Sequence, residues 1–319
     1  MTDLREGLVL RAARADEMAA CADVWRAGLD DYGLRVGRPP MISAPGPLLA
    51  LLDHLRRTDP ERFLVAIRPT ADGGERVVAF VSASRRDHVW FLGMLFVHPD
   101  EQARGLGRAL LEAVLPVAGD AATLATCTDA AQPVSNALYS RYGIVPRVPV
   151  LELVGRPDRA APPSLPGDVR AVPFELLEAD PTDGPGPRRL AAALETLDRA
   201  TLGYSHPQDH AFLREAGRLG HLYEAGDGRV VGYGYASPVG RIGPLAVEDE
   251  ALIPGVLGHL LRAVEPRGAF SAWVPGAAGA AVTTLLDAGL RIEDFPALLC
   301  WDRPFADFSR YVPITLAVL

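Results

Sequence analysis

Two rhythms of apolar positions replace one another along this chain, one of period two and one of helical period. Leu8 to Arg11 predicts a short strand. Ala15 to Gly28 then sets Met18, Cys21, Ala22 and Trp25 on one helical face, and Pro47 to Arg57 predicts a second helix. Phe63 to Ile67 and Val77 to Ser84 read as a strand pair, because Asp72-Gly73-Gly74 between them is turn chemistry. A long apolar strand follows over Val89 to Val97. Leu106, Leu110, Ala113, Val114 and Val117 recur at helical spacing, Thr123 to Thr126 predicts a strand, Val134 to Tyr142 a helix, and Val148 to Val154 a closing strand.

The order then repeats. Val169 to Val172 is a strand, Arg188 to Leu202 and Asp209 to Arg218 are helices, and His221 to Glu224 with Val230 to Ala236 form a hairpin around Gly226-Asp227-Gly228. Strand Ile242 to Val247, helix Ile253 to Val264, strand Phe270 to Val274, helix Ala277 to Asp287 and strand Ala297 to Asp302 complete the copy. A constant shift of 150 positions lays Gly93 on Gly243, Leu95 on Leu245, Val97 on Val247, Gly105 on Gly255, and Leu110-Leu111 on Leu260-Leu261. Matching letters within a matching element order point to duplication of one domain. The proline-rich segment 156–167 reads as a linker, which divides the chain into 1–155 and 168–319. The expected class is α+β, with mixed sheets flanked by helices.

Composition narrows the chemistry. With 40 acidic and 32 basic residues the net charge is −8, which argues against nucleic acid as a partner and favours a cationic acceptor only weakly. Every basic residue is Arg, so no catalytic Lys or Lys Schiff base is available. Cys21, Cys127 and Cys300 are far apart and odd in number, against a disulfide framework or a CxxC site. No His or Cys spacing suggests a metal site, so none is expected. The N-terminal stretch lacks an apolar signal core, and no apolar run reaches the roughly 20 residues of a membrane span. The expected location is cytoplasmic, without a membrane partner; the sequence carries no signal for an oligomeric state.

The informative stretch is Leu92 to Leu111, where a strand runs into a loop bearing Gly105 and Gly107 and a helix begins. A helix N-terminus offers open N–H groups and the positive end of its dipole, which suit a phosphate. Glycines let the backbone come close to it, and Arg104 and Arg108 can add charge. The segment Gln102-Ala103-Arg104-Gly105-Leu106-Gly107 resembles motif A of the GNAT superfamily of acyl-CoA N-acyltransferases, here preceded by Val97-His98-Pro99. Leu138-Tyr139-Ser140-Arg141-Tyr142-Gly143-Ile144 is similar to the family's motif B.

The resemblance implies tandem GNAT-like domains and acetyl-CoA as co-substrate, with no metal. Pantetheine would lie along Leu95, Phe96 and Val97, and the pyrophosphate on the N–H groups of Gln102, Ala103, Arg104, Gly105, Leu106, Gly107 and Arg108. Tyr139 matches the position many members use as general acid toward the CoA thiolate. Where many members carry a cofactor-contacting Asn, this chain has Gln132 and Pro133; Asn136, one turn on, is the substitute. The strand 89–97 carries no acid to serve as base. His88 is the titratable group nearby in sequence, with a water chain or a backbone carbonyl as alternatives, and His98 reads as a loop residue. The implied reaction is direct acetyl transfer to a primary amine, the acceptor being a small molecule shaped by Trp25, Asp30, Asp31, Tyr32, Arg35 and residues after Val145. The alternative is a non-catalytic CoA-binding or regulatory protein that keeps the pocket.

The second copy departs from motif A. Gln102 becomes Leu252, Arg104 becomes Pro254, Gly107 becomes Leu257, and Leu285 stands opposite Tyr139. A Leu side chain at the second glycine would project where phosphate should approach, and Leu cannot donate a proton, so that half is expected to keep the fold and to have lost the chemistry. The apolar tail, Arg310 to Leu319, is expected to dock, as an edge strand, as a clamp between domains, or as the source of a base through its terminal carboxylate.

Overall fold

The computed structural model describes residues 7–39, 45–157, 162–179, 184–266 and 268–319. They group into two compact units, one of residues 1–126 with 131–144 and one of residues 127–130 with 145–319. Residues 158–161 of the proline-rich segment lie outside the described residues.

In the first unit the chain runs β1 (Val9–Ala12), α1 (Met18–Arg35), α2 (Pro45–Thr58), β2 (Phe63–Pro69), β3 (Glu75–Arg86), β4 (Val89–Val97), α3 (Leu106–Val114), β5 (Thr123–Asp129) and α4 (Pro133–Ser140). Strands β1 to β4 pair in sequence order, all antiparallel, and β4 pairs with β5 in parallel. The centre of this sheet is β3 and β4, where Val78 to Val81 and Val89 to Leu92 are almost wholly buried. Such a run of buried apolar residues is what a strand covered on both faces requires. Helix α1 continues to Arg35, beyond the expected stop at Gly28. Gly28 stays inside the helix and packs on β4, where a Cβ would make ordinary contacts with Phe96 Cδ1 at 3.4 Å and the Val97 carbonyl at 3.8 Å. Close packing of α1 on β4 outweighs the helix cost of a glycine.

The second unit contains β6 (Val145–Gly155), β7 (Val169–Pro173), α5 (Phe174–Glu178), α6 (Pro185–Thr201), α7 (Pro207–Glu215), β8 (Leu219–Ala225), β9 (Val230–Ala236), β10 (Ile242–Val247), α8 (Ile253–Ala263), β11 (Phe270–Pro275), α9 (Gly279–Ala288), β12 (Arg291–Trp301) and β13 (Tyr311–Val312). Five strands lie in the order β13-β10-β9-β8-β7. Strand β6 lies between β11 and β12, antiparallel to both. Its core packs Tyr223, Leu245 and Val247 of the sheet against Val256, Leu257 and Leu260 of α8 and Leu285 of α9.

Both units carry the same irregularity. Opposite Ser82 and Ala83, β4 inserts Gly93 between Leu92 and Met94. Opposite the β9 stretch from Gly234 to Ala236, β10 likewise takes one extra residue between Ile242 and Leu245. A bulge at Gly93 and one at Gly243, 150 positions apart, give the sequence repeat a geometric counterpart. The expected mixed sheets flanked by helices are what the chain forms. Among the described residues, no helix is long and apolar enough to cross a membrane.

Candidate functional site

The site expected around residues 102–108 follows from how β4 ends. Parallel pairing with β5 joins Val89–Leu92 to Thr123–Thr126 and goes no further. Past the bulge at Gly93, the β4 edge carrying Leu95, Phe96 and Val97 therefore has no strand partner on that side among the described residues. These three residues are only partly buried. An unpaired strand edge is a row of donors and acceptors able to take an extended amide chain.

Beyond Val97 the chain makes a single 3-10 turn over Pro99–Glu101, capped by the His98 ring, which accepts from the Asp100 N–H at 3.3 Å. His98 is thus a loop residue, as expected. Two residues with positive φ follow, Ala103 at 62° and Gly105 at 80°. They reverse the chain and start α3 at Leu106, with Gly105 as its N-cap. Within α3 the first internal bond runs from Ala109 N–H to the Gly105 carbonyl at 3.1 Å. The N–H groups of Leu106, Gly107 and Arg108 are therefore the helix's open donors. The Gln102 N–H, by contrast, bonds the Pro99 carbonyl at 3.2 Å. A Cβ on Gly107 would meet only Val97 Cγ2, at 3.7 Å. Gly105 is favoured by its left-handed backbone, whereas at Gly107 the strand leaves room for a Cβ and the glycine keeps the approach to the helix start open.

Side chains fix this loop from below. Glu101 is buried and takes both Arg68 nitrogens at 2.7 Å and Arg104 at 2.9 Å. The Arg68 guanidinium holds the Glu101 carboxyl below its usual carboxylate range, although burial opposes that shift. Arg108 pairs with Glu112 at 2.9 Å, and Glu112 also accepts from the Tyr142 hydroxyl at 2.8 Å. Trp90 Nε1 donates to the Val114 carbonyl at 2.9 Å and ties the far end of α3 to β4. Sequence reading missed Glu101, because an acid in an exposed-looking Pro-Asp-Glu turn gives no sign that it folds inward onto an arginine two strands away.

The other expected residues separate into two groups. Tyr139 is buried on α4 within the same unit as the loop. Gln132 caps α4 through its side chain, accepting from the Val134 N–H at 3.3 Å. The Asn136 side chain donates to the Gln132 carbonyl at 2.8 Å. His88 stands exposed in the turn between β3 and β4, at the opposite end of β4 from the loop. Nine residues of strand span about 30 Å, so the fold does not bring His88 to residues 102–108. On α1, Asp31 pairs with Arg35 at 2.6 Å, and Trp25 lies 6.3 Å from Phe96 between ring centroids.

The corresponding place in the second unit is filled by the chain itself. Strand β13 pairs with β10 through Leu245 with Val312 and Ala246 with Tyr311. Those β10 positions match Leu95 and Phe96 of β4, so the tail docks as an edge strand on the edge that β4 leaves open. At the helix start, Pro254 has no N–H to offer. Residues 163–166 lie against α8 there. A Cβ on Gly255 would meet the Ser164 carbonyl at 2.9 Å and Leu165 Cα at 3.0 Å, and one on Gly258 would collide with the Pro163 carbonyl. Leu257 does not project into a phosphate site as expected; it is wholly buried in the core of the second unit. A cleft of about 520 Å³ remains between Pro163, Pro254 and α9, with Asp287 its one charged lining residue, and no expected site residue borders it.

Residues 34–144 match the acetyltransferase (GNAT) family. This segment is a GNAT domain. It contains the loop, α3 and Tyr139, and the family's general chemistry is acyl transfer from acetyl-CoA. No curated protein matches the chain. Among solved structures, a putative acetyltransferase from Pyrococcus horikoshii is similar over 99% of this chain and 97% of its own, at 14% identity and a TM-score of 0.72. A GCN5-related N-acetyltransferase from Sphaerobacter thermophilus shares 20% identity over 96% of this chain and 99% of its own, with a TM-score of 0.58. A tandem GNAT protein from the clavulanic acid biosynthesis pathway aligns over 93% and 99% at 18% identity and a TM-score of 0.54. At these identities the likeness is one of fold.

Proposed function

We propose that the GNAT domain transfers acetyl from acetyl-CoA directly to a primary amine of a small molecule. The observation that carries this reading is the coincidence, at one end of β4, of an unpaired strand edge and the open N–H groups of Leu106, Gly107 and Arg108. The edge suits the amides of pantetheine, and the helix start suits the pyrophosphate. Arg108 is paired with Glu112, whereas Arg104 shares Glu101 with Arg68, so the loop keeps positive charge to add to the backbone donors. Tyr139 serves as the acid that protonates the departing thiolate. With no acid on β4 and His88 remote, the amine proton leaves through water or a backbone carbonyl. Helix α1, against Phe96 and Val97, bounds the acceptor side.

The test is thiol release from acetyl-CoA by the full chain against a panel of small primary amines. Turnover that depends on the amine supports the reading. Tight CoA binding with no release under any amine would favour a cofactor-holding role without catalysis.

A further inference from the structure

A cluster of three metal-ligating side chains is closed inside the second unit, apart from everything described above. Asp198 lies near the end of α6, His206 caps the start of α7, and His210 follows one helical turn later. All three are buried, with at most 1% exposure. Oδ1 of Asp198 is 3.3 Å from Nε2 of His206, and Oδ2 is 3.1 Å from Nε2 of His210. One ligand atom from each lies within 4.8 Å of the others. Donors bound to one ion at roughly 2.1 Å in a tetrahedral shell sit about 3.4 Å apart. Both histidines already stand near that spacing from Asp198, each from a different carboxylate oxygen, and a modest side-chain rotation would bring one atom of each residue onto a common ion.

The surroundings are those of a ligand set. Each of the three has a separate partner on its outer side. The Tyr233 hydroxyl donates to Asp198 at 2.7 Å, the Tyr235 hydroxyl meets Nδ1 of His210 at 2.9 Å, and Asp209 stands 3.5 Å from Nδ1 of His206. Tyr233 and Tyr235 alternate along β9 and so face the same side of the sheet. Outer partners of this kind fix a histidine's tautomer and aim its other nitrogen at an ion. His206 is wholly buried with an acid beside each ring nitrogen, Asp198 at 3.3 Å from Nε2 and Asp209 at 3.5 Å from Nδ1. With Asp209 on Nδ1, the Nε2 lone pair can be turned to a cation shared with Asp198, the arrangement in which a carboxylate orients a ligating imidazole.

We infer that Asp198, His206 and His210 bind one divalent transition-metal ion of the zinc class, in a closed structural site that fastens α6 and α7 to β9. Two imidazoles and a carboxylate suit zinc better than calcium or magnesium, which prefer all-oxygen shells. Because the site is sealed, the ion enters as the unit folds, and its role is to hold the fold.

The test uses the full chain, refolded with excess Zn²⁺ or Co²⁺ and then freed of loosely held ions. Elemental analysis should give close to one metal per chain, and the cobalt form should show the visible absorption of a low-symmetry nitrogen and oxygen site. The double variant His206→Gln with His210→Gln should lose both, and Tyr235→Phe, which leaves all three ligands in place, should weaken retention at least several-fold. Wild-type protein that refolds without retaining either ion would overturn the inference, whatever the variants do. So would a metal content unchanged in the folded double variant, since the ion would then belong elsewhere.

Discussion

The Gln102 side-chain amide donates to the carbonyl of Val97 at 3.0 Å. This bond closes the loop on itself, joining the first residue of motif A to the last residue of the strand that leads into it. The motif's opening glutamine is thereby a brace inside the loop, and its own N–H is already occupied by Pro99. Gln102→Ala should loosen the loop while leaving the helix start intact. We expect KM for acetyl-CoA to rise several-fold with a smaller change in kcat, read from steady-state kinetics.

Gly107→Glu tests the phosphate loop directly. Val97 Cγ2 at 3.7 Å leaves room for a Cβ, so the fold survives while a carboxylate is brought close to the pyrophosphate. Acetyl-CoA affinity should fall by about 2 kcal/mol or more. Calorimetry returning the wild-type affinity would show that the cofactor lies elsewhere.

Tyr139→Phe removes one oxygen from a buried side chain and keeps its packing. If the phenol protonates the thiolate, kcat should drop roughly 10²-fold with acetyl-CoA binding unchanged. Near-normal turnover would assign that proton to water.

Glu101 links loop stability to pH. Its folded-state pKa is lowered, first by the hydrogen bond from Arg68, so the unfolded chain holds the proton more tightly. The group therefore stabilises the fold above the unfolded carboxylate range, and that contribution fades as pH falls through the lowered folded value. Glu101→Gln should lower Tm at neutral pH by roughly 2–6 °C, with the difference from wild type shrinking in acid. A constant difference across a thermal-melt pH series would mean the pair with Arg68 contributes nothing.

The number of cofactor sites follows from the second unit. Its equivalent strand edge is taken by β13 and its helix start by residues 163–166. Titration of the full chain with acetyl-CoA should give a stoichiometry near one, abolished by Gly107→Glu. A second site surviving that substitution would mean the tail and the proline-rich segment give way to the ligand.

Much of this was legible because it is local. The β4 strand, the glycine loop and α3 are contiguous, and their periodicities and turn residues declare them. The expectations that changed depend on partners distant in sequence. Gly28 looked like a helix stop until Phe96 was beside it. Leu257 looked obstructive until its helix face was fixed by the core. The four-residue spacing of His206 and His210 was in plain view, but two histidines without a third His or Cys nearby in sequence do not declare a metal site. Only packing brings Asp198 from α6 and two tyrosines from β9 against them. Strand β6 matched its expected place closely, yet nothing in its own residues says that its neighbours are β11 and β12.

That last pairing bears on how this chain could be divided. Strand β6 precedes the proline-rich segment, while both strands that flank it follow. A gene cut at those prolines would part β6 from its neighbours, leaving β11 and β12 with facing rows of unpaired amides where a strand had been. The second half is therefore not a portable module. It cannot be expressed, swapped or inherited intact without the eleven residues that come before its apparent beginning.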